Sequence, residues 1–350
     1  MHSKSAELIL ENGLRFRGRT FGYTEDVIGE VVFSTAMTGY QEAITDPAYC
    51  GQIVVLTYPL VGNYGINLED MESDKPSLSA LVVRERCDYP NNFRTEMDLD
   101  GFLRQSHIVG IEGIDTRALT RTIRDLGCMK AIITTQELSD SEIAERFSSF
   151  DNSGAVAKVS TKEKYEIDGE GKHIAVIDVG TKKAILRGLT DRGCKVTVLP
   201  YNASAEEILS ISPDGVLVSS GPGTPEDIPE TVNAVKALIG KLPIYGICLG
   251  HLVVGAAVGC EITKLKFGHH GANQPVKNIK TGKVIVTAQN HNYVLENIPG
   301  DVEVSYVNIN DGSCQGLCSE KLGIKTVQFR PEDYPSSHKK GNSVFDEFEI

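Results

Sequence analysis

The stretch that decides the fold reads Pro243-Ile244-Tyr245-Gly246-Ile247-Cys248-Leu249-Gly250-His251. Its first half is short, apolar and preceded by a proline, the pattern of a buried strand, and it passes without a loop into a helix-like run that ends at Gly259. At the junction stands Gly246-x-Cys248-x-Gly250, the thiol form of a nucleophile elbow. A reactive residue at so tight a strand-to-helix turn needs small neighbours on both sides, and it projects above the sheet. The helix N-terminus beyond it lowers a thiol pKa and offers backbone N–H groups to an oxyanion. The alternative is a buried cysteine in a glycine-rich turn, and the surrounding chain decides between the two.

Upstream of the elbow, strand and helix patterns alternate. His173–Asp178, Lys195–Leu199 and Gly215–Ser219 read as strands, with helices over Lys182–Asp191, Ala205–Ser210 and Glu230–Ile239 between and after them. That alternation predicts a doubly wound, mostly parallel sheet, which places its ligands beyond the carboxyl ends of the strands. The elbow lies at such an end. So does Ser219-Ser220-Gly221-Pro222-Gly223-Thr224-Pro225, where glycines permit close approach of a substrate and the Gly223 amide is placed to complete an oxyanion hole with that of Leu249. Downstream, Thr326–Phe329 reads as a strand leading into Arg330-Pro331-Glu332.

Before residue 151 the pattern is different. Leu8-Ile9-Leu10, a turn at Glu11-Asn12-Gly13, and Arg15–Gly18 predict a hairpin; Gly29–Phe33 and Gln52–Tyr58 are further strands; Asp115–Arg124 is a helix stopped at Gly127. Residues 151–172 are polar and read as a linker. The fold class is therefore α/β in two domains: a mixed α/β domain over 1–150 and a doubly wound domain over 173–350. The length of 350 residues agrees, since single cores stop growing at about 250–300 residues.

Composition narrows the function. A net charge of -12 argues against nucleic acid as the main partner. No apolar run approaches the roughly 20 residues of a membrane helix, and Lys4, Glu7 and Glu11 interrupt any signal-peptide pattern, so a cytoplasmic protein is expected. Eight cysteines with no C-x-x-C pair fit reduced core residues better than a disulfide scaffold. Cys314 and Cys318 lack a matching Cys or His pair, so no metal site is expected.

Together, Gly246–His251 and the Gly221-Pro222-Gly223 loop resemble class I glutamine amidotransferases. More narrowly, the whole chain resembles carbamoyl-phosphate synthase small subunits, through Thr38-Gly39-Tyr40-Gln41-Glu42, Thr45-Asp46-Pro47, Thr57-Tyr58-Pro59 with Gly62-Asn63, and Ile114–Arg117. In the second domain the resemblance runs through Phe267–Gly271, Ala288-Gln289-Asn290-His291, and Asp311-Gly312 with Gln315-Gly316. It implies a glutaminase that feeds ammonia to a large subunit docked on the N-terminal domain. That partner binds ATP and Mg and makes carbamoyl phosphate from bicarbonate; no cofactor is expected in this chain. It also implies Cys248 as nucleophile, Glu332 as orienting carboxylate, and a catalytic histidine at position 330, where this chain has Arg330.

A guanidinium has no acceptor atom and does not titrate in proteins, so it cannot take a proton from a thiol and hand it to departing ammonia. The pocket implied by the family departs in parallel. Leu252 stands in place of a glutamine, Ala48 of a serine, Asn292 of a glycine, and Tyr334–Ser337 of a Pro-Gly-Pro run, while Gly221, Gly223, Leu249, Asn290 and Tyr293 still fit. His251, His291 and His338 match histidines that intact relatives carry beside the catalytic one, and His269 and His270 read as structural or as pocket rim. Weak or absent glutaminase is the expectation. Three readings stand: a docked subunit of an ammonia-dependent synthase, a glutaminase rescued by another histidine or a water relay, and a non-catalytic regulator that competes for a large subunit.

Overall fold

The computed structural model describes residues 3–333 and 344–348. The chain divides into two units, Met1–Asn152 and Ser153–Ile350.

β-Branched strands and tight turns build the first unit. Ser5–Leu10 and Arg15–Gly22 form the expected hairpin, with Leu8 opposite Phe16 and Gly13 supplying φ 86° at the turn. Among the described residues seven strands close into a barrel, in the order Ser5–Leu10, Arg15–Gly22, Val109–Glu112, Ala80–Val82, Gln52–Leu56, Val27–Ser34, Met129–Thr134. The helix Thr116–Leu126 starts where Asp115 Oδ1 accepts the Ala118 N–H at 2.9 Å, and it ends at Gly127, φ 102°. The motif around Gln41 is a folding device here. Its carboxamide brackets the Asn67 backbone, and the Tyr64 hydroxyl accepts the N–H groups of Gly39 and Tyr40, each at 3.1 Å.

The second unit holds a ten-strand sheet among the described residues. Its order is Tyr165–Ile167, Lys195–Pro200, His173–Asp178, Gly215–Val218, Ile244–Ile247, Ile324–Val327, Cys314–Ser319, Glu303–Asn308, Glu261–Asn278, Val284–Glu296. The five strands from Lys195–Pro200 to Ile324–Val327 run parallel. Helices cover them, so Ile244–Ile247 and Gly215–Val218 are wholly buried, as both-face burial requires. The remaining strands on the far side pair antiparallel.

Residues 151–172, expected as a linker, contain the helix Ala155–Val159 and the sheet's edge strand Tyr165–Ile167, which pairs with Lys195–Pro200. An edge strand open to solvent tolerates polar residues. Glu166 there meets Lys195 at 3.1 Å, which is why composition alone misreads the segment. The long ribbon of Glu261–Asn278 and Val284–Glu296 also has no counterpart in the predicted elements.

Candidate functional site

The elbow is built by its neighbours' lack of side chains. A Cβ on Gly250 would overlap the Val218 carbonyl oxygen, and one on Gly246 would lie 2.7 Å from the Gly250 oxygen. The helix Leu249–Val258 can therefore begin directly against the strand ends. Cys248 adopts φ 55°, ψ −107°, a conformation that costs a non-glycine residue about 1–3 kcal/mol and persists only where the surroundings impose it. Here they do. Its N–H donates to Val327 O at 2.9 Å, Gly250 N–H donates to Ser219 O at 3.0 Å, and Leu252 N–H closes the first turn on Cys248 O at 3.2 Å.

Ser219 ties this turn to the adjacent loop. Its hydroxyl accepts the Val179 N–H at 3.1 Å and donates to Ser220 O at 3.0 Å. Gly221 has no room for a side chain against Val179, and Gly223 sits at φ 77°, with Thr224 N–H donating to Asp227 Oδ2 at 2.8 Å. The glycine loop thus stands at the carboxyl end of the neighbouring strand, as predicted.

The strand Ile324–Val327 delivers the third segment. Arg330 N–H donates to Ala288 O at 2.9 Å, which fixes the backbone of residue 330 against the ribbon. The Arg330 side chain is buried, with Nη1 3.8 Å from Glu332 Oε1. Lys182 Nζ lies 3.5 Å from the same oxygen and also pairs with Asp333. Two cations and two carboxylates thus share one cluster, in which Lys182, Arg330 and Glu332 are buried and Asp333 reaches the surface. Burial pushes the Glu332 carboxyl up to about 7 against the pull of Lys182 and Arg330, while Lys182 and Arg330 hold Asp333 below the ordinary carboxylate range despite burial. Lys182 is the functional candidate that the sequence reading passed over as the start of a helix. It caps Lys183–Thr190 at the carboxyl end of His173–Asp178, and that position was the available signal.

On the ribbon, Cys248 Sγ donates to the backbone oxygen of Asn290 at 3.5 Å. The Asn290 side-chain oxygen lies 2.8 Å from His270 Nδ1, and Asn292 Oδ1 lies 2.9 Å from His270 Nε2. Leu252 packs in an apolar cluster with Cys260, Leu295, Cys314 and Leu317, and Tyr293 packs against it. Burial raises the thiols of Cys260 and Cys314 to about 11, so both behave as core residues. Ala48 belongs to the other unit, in the turn Pro47–Tyr49, where Asp46 Oδ1 accepts its N–H at 2.9 Å. Tyr334–Ser337 and His338 lie outside the described residues.

The remaining histidines face other partners. His251 Nδ1 is 2.7 Å from Thr326 Oγ1, and burial depresses its pKa to about 3. His291 is held between Tyr293 O at 2.9 Å and Gln289 Oε1 at 3.0 Å, its pKa well below the usual value through burial and its His269 and His270 neighbours. His269 Nε2 pairs with Asp311 Oδ2 at 2.8 Å.

A strained cysteine where a central parallel strand meets a helix, with a glycine loop at the next strand end, defines a class I glutamine amidotransferase domain, and the family "Glutamine amidotransferase class-I" matches residues 175–349. The chain belongs to the carbamoyl-phosphate synthase small chain family, whose "CPSase domain" matches residues 8–133. It is 51% identical over 343 residues to the carbamoyl phosphate synthase small chain of Clostridium perfringens, covering 98% of each chain. It is 46% identical to that of Bacillus caldolyticus, covering 98% of this chain and 95% of the relative. It is also 46% identical to the pyrimidine-specific small chain of Bacillus subtilis, covering 97% and 94%. Among the described residues no helix is long and apolar enough to cross a membrane, and no group of three or more His, Cys, Asp or Glu residues is placed to hold a metal ion.

Proposed function

We propose that this chain docks, through its N-terminal domain, on a carbamoyl-phosphate synthase large subunit that carries ATP and Mg, and that the complex draws its nitrogen from free ammonia because the chain's own glutaminase step is crippled. The observation that carries this reading is the buried Arg330 guanidinium, 3.8 Å from the Glu332 carboxylate, at the position where the family implies a histidine. Cys248 is the nucleophile. To cleave a glutamine amide, its sulfur must bond to the carbonyl carbon, its proton must leave, and a proton must reach the departing nitrogen. An imidazole oriented by Glu332 does both transfers, whereas a guanidinium accepts nothing and does not release a proton at working pH. Loss of such a partner slows the step by about 10²–10⁴-fold.

By the family resemblance, Leu252 lacks the amide and Ala48 the hydroxyl that would contact glutamine, and Asn292 crowds the site that Gly221, Gly223, Leu249, Asn290 and Tyr293 are expected to frame. Rescue by another histidine is disfavoured by the partners described above: the His251 ring faces Thr326, and the His291 ring is held by Tyr293 and Gln289. The test is a purified complex with its large subunit, assayed for carbamoyl phosphate. Synthesis from ammonium salts but not from glutamine is the expected result. Glutamine supporting the reaction as well as ammonium does would overturn the reading, and binding without any synthesis would favour a regulator.

A further inference from the structure

An attacking sulfur must be a thiolate, yet one contact that Cys248 makes suits the opposite state. Its Sγ donates to the Asn290 carbonyl oxygen at 3.5 Å. A carbonyl oxygen accepts from S–H and repels S⁻, so this bond favours the neutral form. The carbonyl is also fixed in place. Asn290 lies directly across the ribbon from His270, whose two ring nitrogens sit 2.8 Å and 2.9 Å from the carboxamide oxygens of Asn290 and Asn292. Gly268, at φ 69°, turns the chain beneath this group, and a Cβ there would reach within 2.5 Å of His270 Nε2 and overlap Asn292 Oδ1. The bracket is therefore packed on its open side as well. Its outer member, Asn292, occupies a position where the family resemblance implies glycine.

We propose that the Asn290 carbonyl, held by the Asn290–His270–Asn292 bracket, keeps Cys248 as a protonated thiol, and that Asn292 sets how firmly it does so. His270 and Asn292 are positioning residues, acting through Asn290. The inference rests on Cys248 being the nucleophile. Two influences oppose it. The helix Leu249–Val258 begins at Cys248 and stabilises a negative sulfur, and Arg330 brings positive charge. Above about pH 7, however, where Glu332 is ionised, Arg330 and Lys182 share their cluster with two carboxylates, which offset their charge. The direct contact to oxygen prevails.

The experiment is the pH profile of Cys248 alkylation by iodoacetamide in the full chain, resolved by peptide mass spectrometry, with Cys248→Ser as the blank. Only the thiolate reacts, so the midpoint reports the thiol pKa. The wild-type midpoint is expected at or above about 8.5, the value of a free cysteine. Asn292→Gly should lower it by about one unit and speed alkylation at pH 7 about tenfold, since one pKa unit is tenfold in thiolate. His270→Ala, which removes the middle of the bracket, should behave as Asn292→Gly does and serves if that variant does not fold. A wild-type midpoint below 7, or Asn292→Gly superimposing on wild type, would overturn the proposal. Alkylation requires neither glutamine nor a partner. A glutamine-driven complex with a high midpoint therefore sinks the functional reading alone, and a low midpoint sinks this one alone.

Discussion

Two walls of the second domain, the elbow at Cys248 and the segment after the strand Ile324–Val327, differ in what holds them. The elbow is held by its backbone: glycines that admit the crossing chain, a strained cysteine, and amides bonded to the Val327 and Ser219 carbonyls. The wall made by residues 330–333 keeps its backbone position, with Arg330 bonded to Ala288, but its side chains form an ion cluster with Lys182. The difference shows where fold and function part company. The elbow geometry belongs to the backbone and cannot be lost without disturbing the sheet, whereas acid–base chemistry resides in one side chain. Arg330 keeps the backbone bond of its position and lies beside the Glu332 carboxylate, but a guanidinium offers no acceptor for a proton.

The sharpest way to break that comparison is to restore the implied acid–base residue together with the implied substrate contacts. Arg330→His with Leu252→Gln and Ala48→Ser should raise glutamine hydrolysis by about 10²-fold or more, the scale of a regained general acid–base group. Arg330→His alone should yield less than about a tenth of that gain, because the substrate contacts stay missing. Full recovery from the single change would show that the pocket substitutions are neutral. The first wall is tested through Gly250. Gly250→Ala forces a methyl onto the Val218 carbonyl and should destabilise the C-terminal domain by about 3 kcal/mol, read by urea unfolding. A loss below 1 kcal/mol would mean that the turn is softer than its packing implies.

Much of the first wall was legible in the sequence because its determinants are local. An apolar strand, Gly-x-Cys-x-Gly and a following helix read directly from neighbouring residues, and so did the hairpin around Gly13 and the helix from Asp115. The second wall depends on contacts across long sequence separations. Lys182 meets Glu332 and Asp333 about 150 residues later, and no spacing rule anticipates a buried lysine at a helix start. The bracket around His270 rests on ribbon register, which bulges between Lys264 and His269 and again between Gly271 and Gln274. Those irregularities spoil the alternation by which strands are recognised. Residues 151–172 failed for a related reason, since an edge strand shows one polar side and composition alone marks it as a linker.

Acid should distinguish the walls by sign. The folded pKa of His251 is depressed to about 3, so its neutral form is favoured by folding; that contribution is intact above the unfolded value of about 6.5 and is lost as pH falls toward 3. Between pH 7.5 and 5 the loss is about 2 kcal/mol, with His291 adding in the same direction. Glu332 runs the other way: its folded value, about 7, lies above the unfolded one, so its share is complete below about pH 4.5 and fades as pH rises through 7. Urea melts of wild type and His251→Gln at both pH values should show a shallower acid loss in the variant, and parallel curves would remove His251 as the cause.

The smallest effect concerns the pin between the walls. Thr326 Oγ1 accepts the Leu317 N–H at 3.2 Å and lies 2.7 Å from His251 Nδ1, so its own hydrogen is directed at a neutral ring. Thr326→Val keeps the shape, removes the hydroxyl, and leaves a buried ring nitrogen and an amide without it, at a cost of about 1–2 kcal/mol. The elbow would then be joined to the strand leading to Arg330 by the Cys248 N–H to Val327 O bond and by packing. If Thr326→Val also lowers the Cys248 alkylation midpoint, the two walls are mechanically coupled through this hydroxyl. If only stability falls, each wall holds its own geometry, and arginine could replace histidine in one without disturbing the other.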